Sequence, residues 1–247
     1  MSAVARIRRS MASVLVRVGV EVIPVASLRH PLERRRRLLE DLHVDLVIDV
    51  GANAGQYGSE LRRIGYRGQV LSFEPLLEPF KLLSRRAHAD PHWHAIQSAI
   101  GPSPGRADLN VAANGGASSS FLPMLQEVVL NAPEATYIGT ESVVIRRLDE
   151  ASGEAIRRAN ATLLKADVQG YELEVLDSAT GILASVVGLQ LEISLVPLYE
   201  GAPSFIAVLE RTRDLGFALV GLEPGFAATD GRLLQVDGLF ERTGLRT

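Results

Sequence analysis

From residue 44 onward, short apolar runs alternate with stretches of helical periodicity, a pattern that predicts an α/β fold with a mostly parallel sheet covered by helices on both faces. The first strand is expected over 44–50, followed by a glycine-rich turn and a helix through residue 64. A second strand over 69–73 ends at Glu74-Pro75, because proline cannot donate to a ladder and starts a helix well, here over 76–87. Further strands are expected over 93–97, 162–166 and 186–193, with helices over 149–159, after Gly170, and over 203–215. Residues 142–148 alternate like an edge strand or an extended linker, and 217–221 with 233–240 read as a closing antiparallel pair. Residues 101–123, rich in Gly, Pro, Ser and Asn, suit a loop or hairpin over a site.

Upstream of this pattern, Val4, Ile7, Met11, Val14, Leu15 and Val18 follow helical spacing, with Arg6, Arg8, Arg9 and Arg17 off the stripe. The apolar run over 14–25 is interrupted by Arg17 and Glu21 and is too short to span a bilayer. An amphipathic helix that packs on the domain is expected, with peripheral contact to a membrane surface as the alternative. The four arginines at 34–37 read as a solvated helix face. Residues 1–43 are therefore expected to form an N-terminal helical cap and 44–247 one domain, without repeat or linker.

Composition narrows the function classes. With 247 residues, 47% hydrophobic and 22% charged, the chain has an ordinary globular mixture and a sizeable core. A formal net charge of -3 provides no field for a polyanion, so a small-molecule substrate is expected and nucleic acid is not. The absence of cysteine removes disulfides and thiolate chemistry and accords with a cytoplasmic setting. A homo-oligomer stays open.

The candidate chemistry starts at Asp49-Val50-Gly51-Ala52-Asn53-Ala54-Gly55. In an open parallel sheet, ligands sit beyond the carboxyl ends of the strands, where Gly51 and Gly55 let the backbone approach without a Cβ. A purely structural turn is the alternative. Asn53 interrupts a dinucleotide fingerprint, and Asp49 places negative charge where a diphosphate would bind. Asp49 could instead orient the loop or face a cationic amino-acid tail through water, which favours a sulfonium cofactor. Glu74 lies 19 residues beyond Gly55, close to the roughly 20-residue offset at which a carboxylate takes the ribose hydroxyls of a nucleoside.

These residues belong to a longer series: IDVGANAGQYG at 48–58, SFEP at 72–75, SAIG at 98–101, ASSS at 117–120, RRLDE at 146–150, LKADVQGYE at 164–172 and LEIS at 191–194. In this order, over about residues 45–215, they resemble the FkbM family of class I methyltransferases. The resemblance implies a Rossmann-like seven-stranded sheet, S-adenosylmethionine as cofactor, and O-methylation of a hydroxyl on a sugar, glycolipid or polyketide-like product. It also implies that Glu74 and Pro75 meet the nucleoside, that Gln56 and Tyr57 touch the cofactor's amino-acid portion, that Ser98 and Ala99 border the adenine, and that the serines at 118–120 offer hydroxyls. At position 169 the family often has Glu where this chain has Gln.

Methyl transfer to an alcohol needs alignment, exclusion of water, and either a base or a metal to activate the oxygen. Asp167 and Glu192, at the carboxyl ends of inner strands, are the candidates. Three readings stand open for them: ligands of Mg²⁺ or a similar hard cation, a metal-free base, or carboxylates that only fix a turn, as Glu172 is expected to do. His92 and His94 fit a surface strand better than a ligand pair. A different class of function is a catalytically weak S-adenosylmethionine-binding module tethered by the basic N-terminal helix, with Gln169 as its evidence.

Overall fold

The computed structural model describes residue 27 and residues 30–245; the amphipathic stripe at 4–18 lies outside them. The chain forms strands β1 (Leu46–Val50), β2 (Gln69–Phe73), β3 (Trp93–Ile96), β4 (Ala99–Ile100), β5 (Gly105–Ala112), β6 (Tyr137–Arg146), β7 (Thr162–Ala166), β8 (Val186–Ser194), β9 (Phe217–Pro224) and β10 (Gln235–Arg242). Its helices are α1 (Pro31–Asp41), α2 (Gln56–Arg63), α3 (Leu77–His88), α4 (Gln126–Asn131), α5 (Leu148–Arg158), α6 (Glu172–Ser178) and α7 (Phe205–Asp214).

Seven strands make one sheet in the order β3-β2-β1-β7-β8-β10-β9. The first five are parallel, and β10 inserts antiparallel between β8 and β9. β1 and β7 are buried along their whole length, which is why both read as unbroken apolar runs. From β1 the chain steps outward to β2 and β3, then returns to β7 on the other side of β1. This reversal sends α2 and α6 to opposite faces and opens a crevice beyond the tips of β1 and β7.

Strand alternation divides the interior. Leu46, Ile48, Val50, Leu164, Leu189 and Phe240 face one core under α5, α6 and α7. Val47, Leu61, Val70, Leu83, Leu163 and Leu239 face the other under α1, α2 and α3. Asp49, alternating with Ile48 and Val50, belongs to the second face.

Three expectations need correction. Residues 101–123 are not all loop: β5 pairs antiparallel with β6, and with β4 they make a separate three-stranded sheet in the order β4-β6-β5. The alternation of Ala107, Leu109 and Val111 was hidden between two turn-rich flanks. β6 itself begins earlier than expected, at Tyr137. The arginine run is not uniformly solvated: Arg36 and Arg37 pair with Glu33, but Arg35 lies on the face of Leu38 and Leu39 and is buried. Among the described residues, no helix is long and apolar enough to cross a membrane.

Candidate active site

The loop after β1 is built around a backbone only glycine can supply. Gly51 has φ 76°, and a Cβ there would sit 1.9 Å from the carbonyl oxygen of Asp167. The N–H groups of Gly51 and Ala52 donate to Phe73 O (3.1 and 3.0 Å), while Asp167 N–H donates to Val50 O at 3.1 Å, locking the tips of β1, β2 and β7 together. Asn53, itself left-handed at φ 45°, accepts from Ala54 N–H (2.7 Å) and Gln56 Nε2 (3.0 Å) through Oδ1 and donates from Nδ2 to Gly115 O (3.0 Å). The loop is thus preformed, tied to the turn between β5 and β6.

A cavity of about 350 Å³ opens over this loop. Gly51, Asn53, Gln56, Tyr57, Glu74, Pro75, Ser98, Ala99 and Asp167, all singled out from the sequence, line it. Glu74 accepts from Asn53 N–H (2.8 Å) at one oxygen and from Leu76 N–H (2.9 Å) at the other. Burial pushes its pKa up to about 7 despite those two donors. Ser98 Oγ donates to Ala99 O at 2.7 Å, so this hydroxyl shapes the wall.

Three of the proposed residues stand elsewhere. Gly55 (φ 86°) does not line the cavity; a Cβ there would meet Leu83 and Trp93 at 3.0 and 3.1 Å, so its smallness serves helix packing. Asp49 is buried beneath the loop, where Oδ1 lies 3.1 Å from Lys165 Nζ and Oδ2 accepts from Ser72 Oγ at 3.2 Å. Of the two roles open to it, this position serves the orientation of the loop. Lys165 Nζ also donates to Gly51 O (3.1 Å); burial works against its ammonium, but the Asp49 and Asp167 carboxylates outweigh this and raise its pKa. Glu192 lies beside the cavity rather than in its wall.

Glu192 and Asp167 nevertheless come together. Gln169 Nε2 donates to Asp167 Oδ1 (2.9 Å) and to Glu192 Oε2 (2.6 Å), and Gln235 Nε2 donates to the same Glu192 oxygen (2.8 Å). Burial first, then the Asp167 charge, pushes the Glu192 pKa well above the usual carboxylate range. Gln169 has φ 56°, and its place is held by Tyr199 O–H donating to its Oε1 (2.6 Å) and Ser120 Oγ donating to its carbonyl (2.8 Å).

The Mg²⁺ reading does not fit this donor set. Amide N–H groups occupy one oxygen of each carboxyl, and among the described residues no group of three or more His, Asp or Glu is arranged to hold a metal ion. Glu172 does fix the turn, accepting from Val168 N–H (3.1 Å) and Gly170 N–H (3.2 Å). The serines at 118–120 serve the loop: Ser119 lines the cavity but its Oγ accepts from Ala112 N–H at 2.9 Å. His94 on the edge strand β3 and His92 just before it are both exposed.

Among the lining residues with no role assigned from sequence are Arg35, Glu60, Lys165, Gln190 and Asp237. A charged residue inside an apolar strand, as in Leu163-Leu164-Lys165-Ala166, is the signal that finds Lys165, because a buried ammonium requires partners.

The strand order, the crevice at its reversal, and a glycine loop facing a buried carboxylate on the next strand define the class I methyltransferase fold, whose cofactor is S-adenosylmethionine. The chain belongs to the methyltransferase FkbM domain family, whose model matches residues 49–219. Similar solved structures include an rRNA methylase from Streptococcus thermophilus, 14% identical, covering 88% of this chain and 99% of that chain with a TM-score of 0.48. Another is magnesium protoporphyrin IX methyltransferase from Synechocystis PCC 6803 with bound SAM, 10% identical, covering 86% of this chain and 78% of that chain with a TM-score of 0.47. No curated protein matches the chain.

Proposed function

We propose that this methyltransferase acts on oxygen, methylating a hydroxyl of a sugar, glycolipid or polyketide-like product. The observation that carries the reading is Asp167, a carboxylate in the cavity wall held by Gln169 Nε2, which also donates to the buried Glu192 behind it. S-adenosylmethionine, when bound, supplies a methyl group on a sulfonium. The residues present suit it. Each oxygen of Glu74 takes one backbone N–H and keeps a lone pair for a ribose hydroxyl, while Pro75, Leu76 and Ala99 provide apolar wall for a base. Asn53, Gln56 and Tyr57 border the same space.

A hydroxyl is a poor nucleophile until its proton has somewhere to go. Asp167 takes that proton, held in position by Gln169 and facing Lys165 Nζ at 3.6 Å, which steadies the charge of the resting carboxylate. The test is incubation of the full chain with methyl-tritiated S-adenosylmethionine and a panel of hydroxylated sugars, glycolipids and polyketide alcohols. Label is expected on oxygen, falling by about 100-fold or more in Asp167→Asn and persisting in EDTA. Label that goes only to nitrogen acceptors overturns the reading, as does an undiminished Asp167→Asn variant.

A further inference from the structure

On the side of the sheet covered by α1, α2 and α3, buried polar groups continue well beyond the cavity. Trp93 on β3, Ser72 on β2, Asp49 on β1 and Lys165 on β7 stand on four neighbouring strands, each 5% exposed or less. Trp93 Nε1–H donates to Ser72 Oγ (3.0 Å), Ser72 Oγ donates to Asp49 Oδ2 (3.2 Å), and Asp49 Oδ1 lies 3.1 Å from Lys165 Nζ. Lys165 Nζ in turn donates to Gly51 O at 3.1 Å and faces Asp167 Oδ2 at 3.6 Å. Neither Trp93 nor Ser72 lines the cavity. The row joins the outermost parallel strand to the carboxylate in the cavity wall.

The donor-only indole sets the direction of the links that follow it. Ser72 Oγ must accept from Trp93, which leaves its one proton for Asp49. That proton answers one oxygen of a fully buried carboxylate, where a missing donor is costly. An ammonium has three protons, and Lys165 has Asp49 Oδ1, Gly51 O and Asp167 Oδ2 around it. Without the Ser72 proton, Asp49 draws the ammonium more strongly to itself, and Asp167 loses part of its partner. Gly58, inside α2, makes room for the indole, since a Cβ there would overlap the ring.

We propose that Trp93 and Ser72 are positioning residues for Asp167, acting through Asp49 and Lys165. The inference rests on the reading of Asp167 as the base. Arg35 on α1, Tyr57 on α2, Glu74 after β2, Glu172 on α6, Glu192 on β8, Tyr199 and Asp237 on β10 also act on the charges of Lys165 and Asp167. Among the described residues none of these seven is hydrogen-bonded to Ser72 or Trp93, so they form a common background in the variants that follow.

The chain has only two lysines, Lys81 and Lys165, so the full chain labelled with ¹³C at lysine Cε gives two signals, and that of Lys165 is identified by its loss in Lys165→Met. In wild type the Lys165 signal is expected to show an inflection with pH that Asp167→Asn removes. Ser72→Ala and Trp93→Phe are expected to move that inflection upward, each tightening proton binding by about threefold or more, the order of one neutral hydrogen bond. The double variant is expected to match Ser72→Ala alone, because Trp93 acts only through the hydroxyl. With an acceptor that takes label, the acid limb of the kcat profile moves by the same amount. A wild-type signal without that inflection overturns the proposal, and so do an unmoved inflection in folded Ser72→Ala or additive shifts in the double variant. If no acceptor takes label on oxygen, the proposed reaction fails, while the Lys165 titration still decides whether Trp93 and Ser72 govern Asp167.

Discussion

The two faces of the main sheet are built to different rules. Under α5, α6 and α7, the inward positions Ile48, Val50, Leu164, Leu189, Leu191 and Phe240 are all apolar and buried. Under α1, α2 and α3, apolar packing by Val47, Leu163 and Leu239 gives way to Asp49, Lys165, Gln190 and Asp237 in strands of the same sheet. The first face is a packing surface whose energy comes from area removed from water. The second has buried polar groups, each needing a named partner, and Lys165, Gln190 and Asp237 among them line the cavity. Stability and binding are thus separated by the alternation of side chains along a strand.

Substitutions on the two faces break this contrast in different ways. The largest effect is expected at their junction: Gly51→Ala places a methyl group against the Asp167 carbonyl at a left-handed backbone position. It should cost at least about 4 kcal/mol of stability, measured by denaturant unfolding, with cofactor binding lost. On the apolar face, Leu164→Ala should cost about 2–5 kcal/mol through the cavity it leaves and, in the folded fraction, keep wild-type affinity for S-adenosylhomocysteine. If that affinity fell in parallel, the separation of the faces would be refuted.

On the polar face, pH supplies the smaller test. The Glu74 pKa is raised from 4.5 to about 7 in the folded chain, so the folded state holds the proton more tightly than the unfolded one. The stabilisation this gives is fully present below about pH 4.5 and fades as pH rises through about 7. The shift corresponds to roughly 3 kcal/mol. Unfolding curves for Glu74→Gln should therefore show a shallower loss of stability between pH 5 and pH 8 than wild type, by an amount of that order. Parallel curves would mean that Glu74 is better solvated than its surroundings indicate.

Much of this architecture was legible beforehand because buried parallel strands announce themselves. Residues 69–73 and 162–166 form strands at the expected bounds, since each is an apolar run closed by a residue that ends it. The glycine loop and Glu74 came together because their spacing reflects one turn, one helix and one neighbouring strand. The failures share a different cause. Asp49 adjoins the ligand loop in sequence, yet alternation turns its carboxylate beneath the loop toward Lys165, a partner on β7. Arg35 looked like its less buried neighbours because four identical residues mask which one faces inward. Asp237 reaches the cavity wall through strands joined only in the folded sheet. β5 was concealed by the turn-rich residues on both sides of it.

The central claim is that the crevice beyond β1 and β2 receives a nucleoside whose ribose is held by Glu74. Calorimetric titration of S-adenosylhomocysteine into the wild-type chain and into Glu74→Ala addresses it directly. Saturable one-to-one binding to wild type, weakened about 10- to 100-fold in the variant, is the expected result for loss of hydrogen bonds to a charged group. Equal affinity for both chains, or no binding to the wild type, would contradict it.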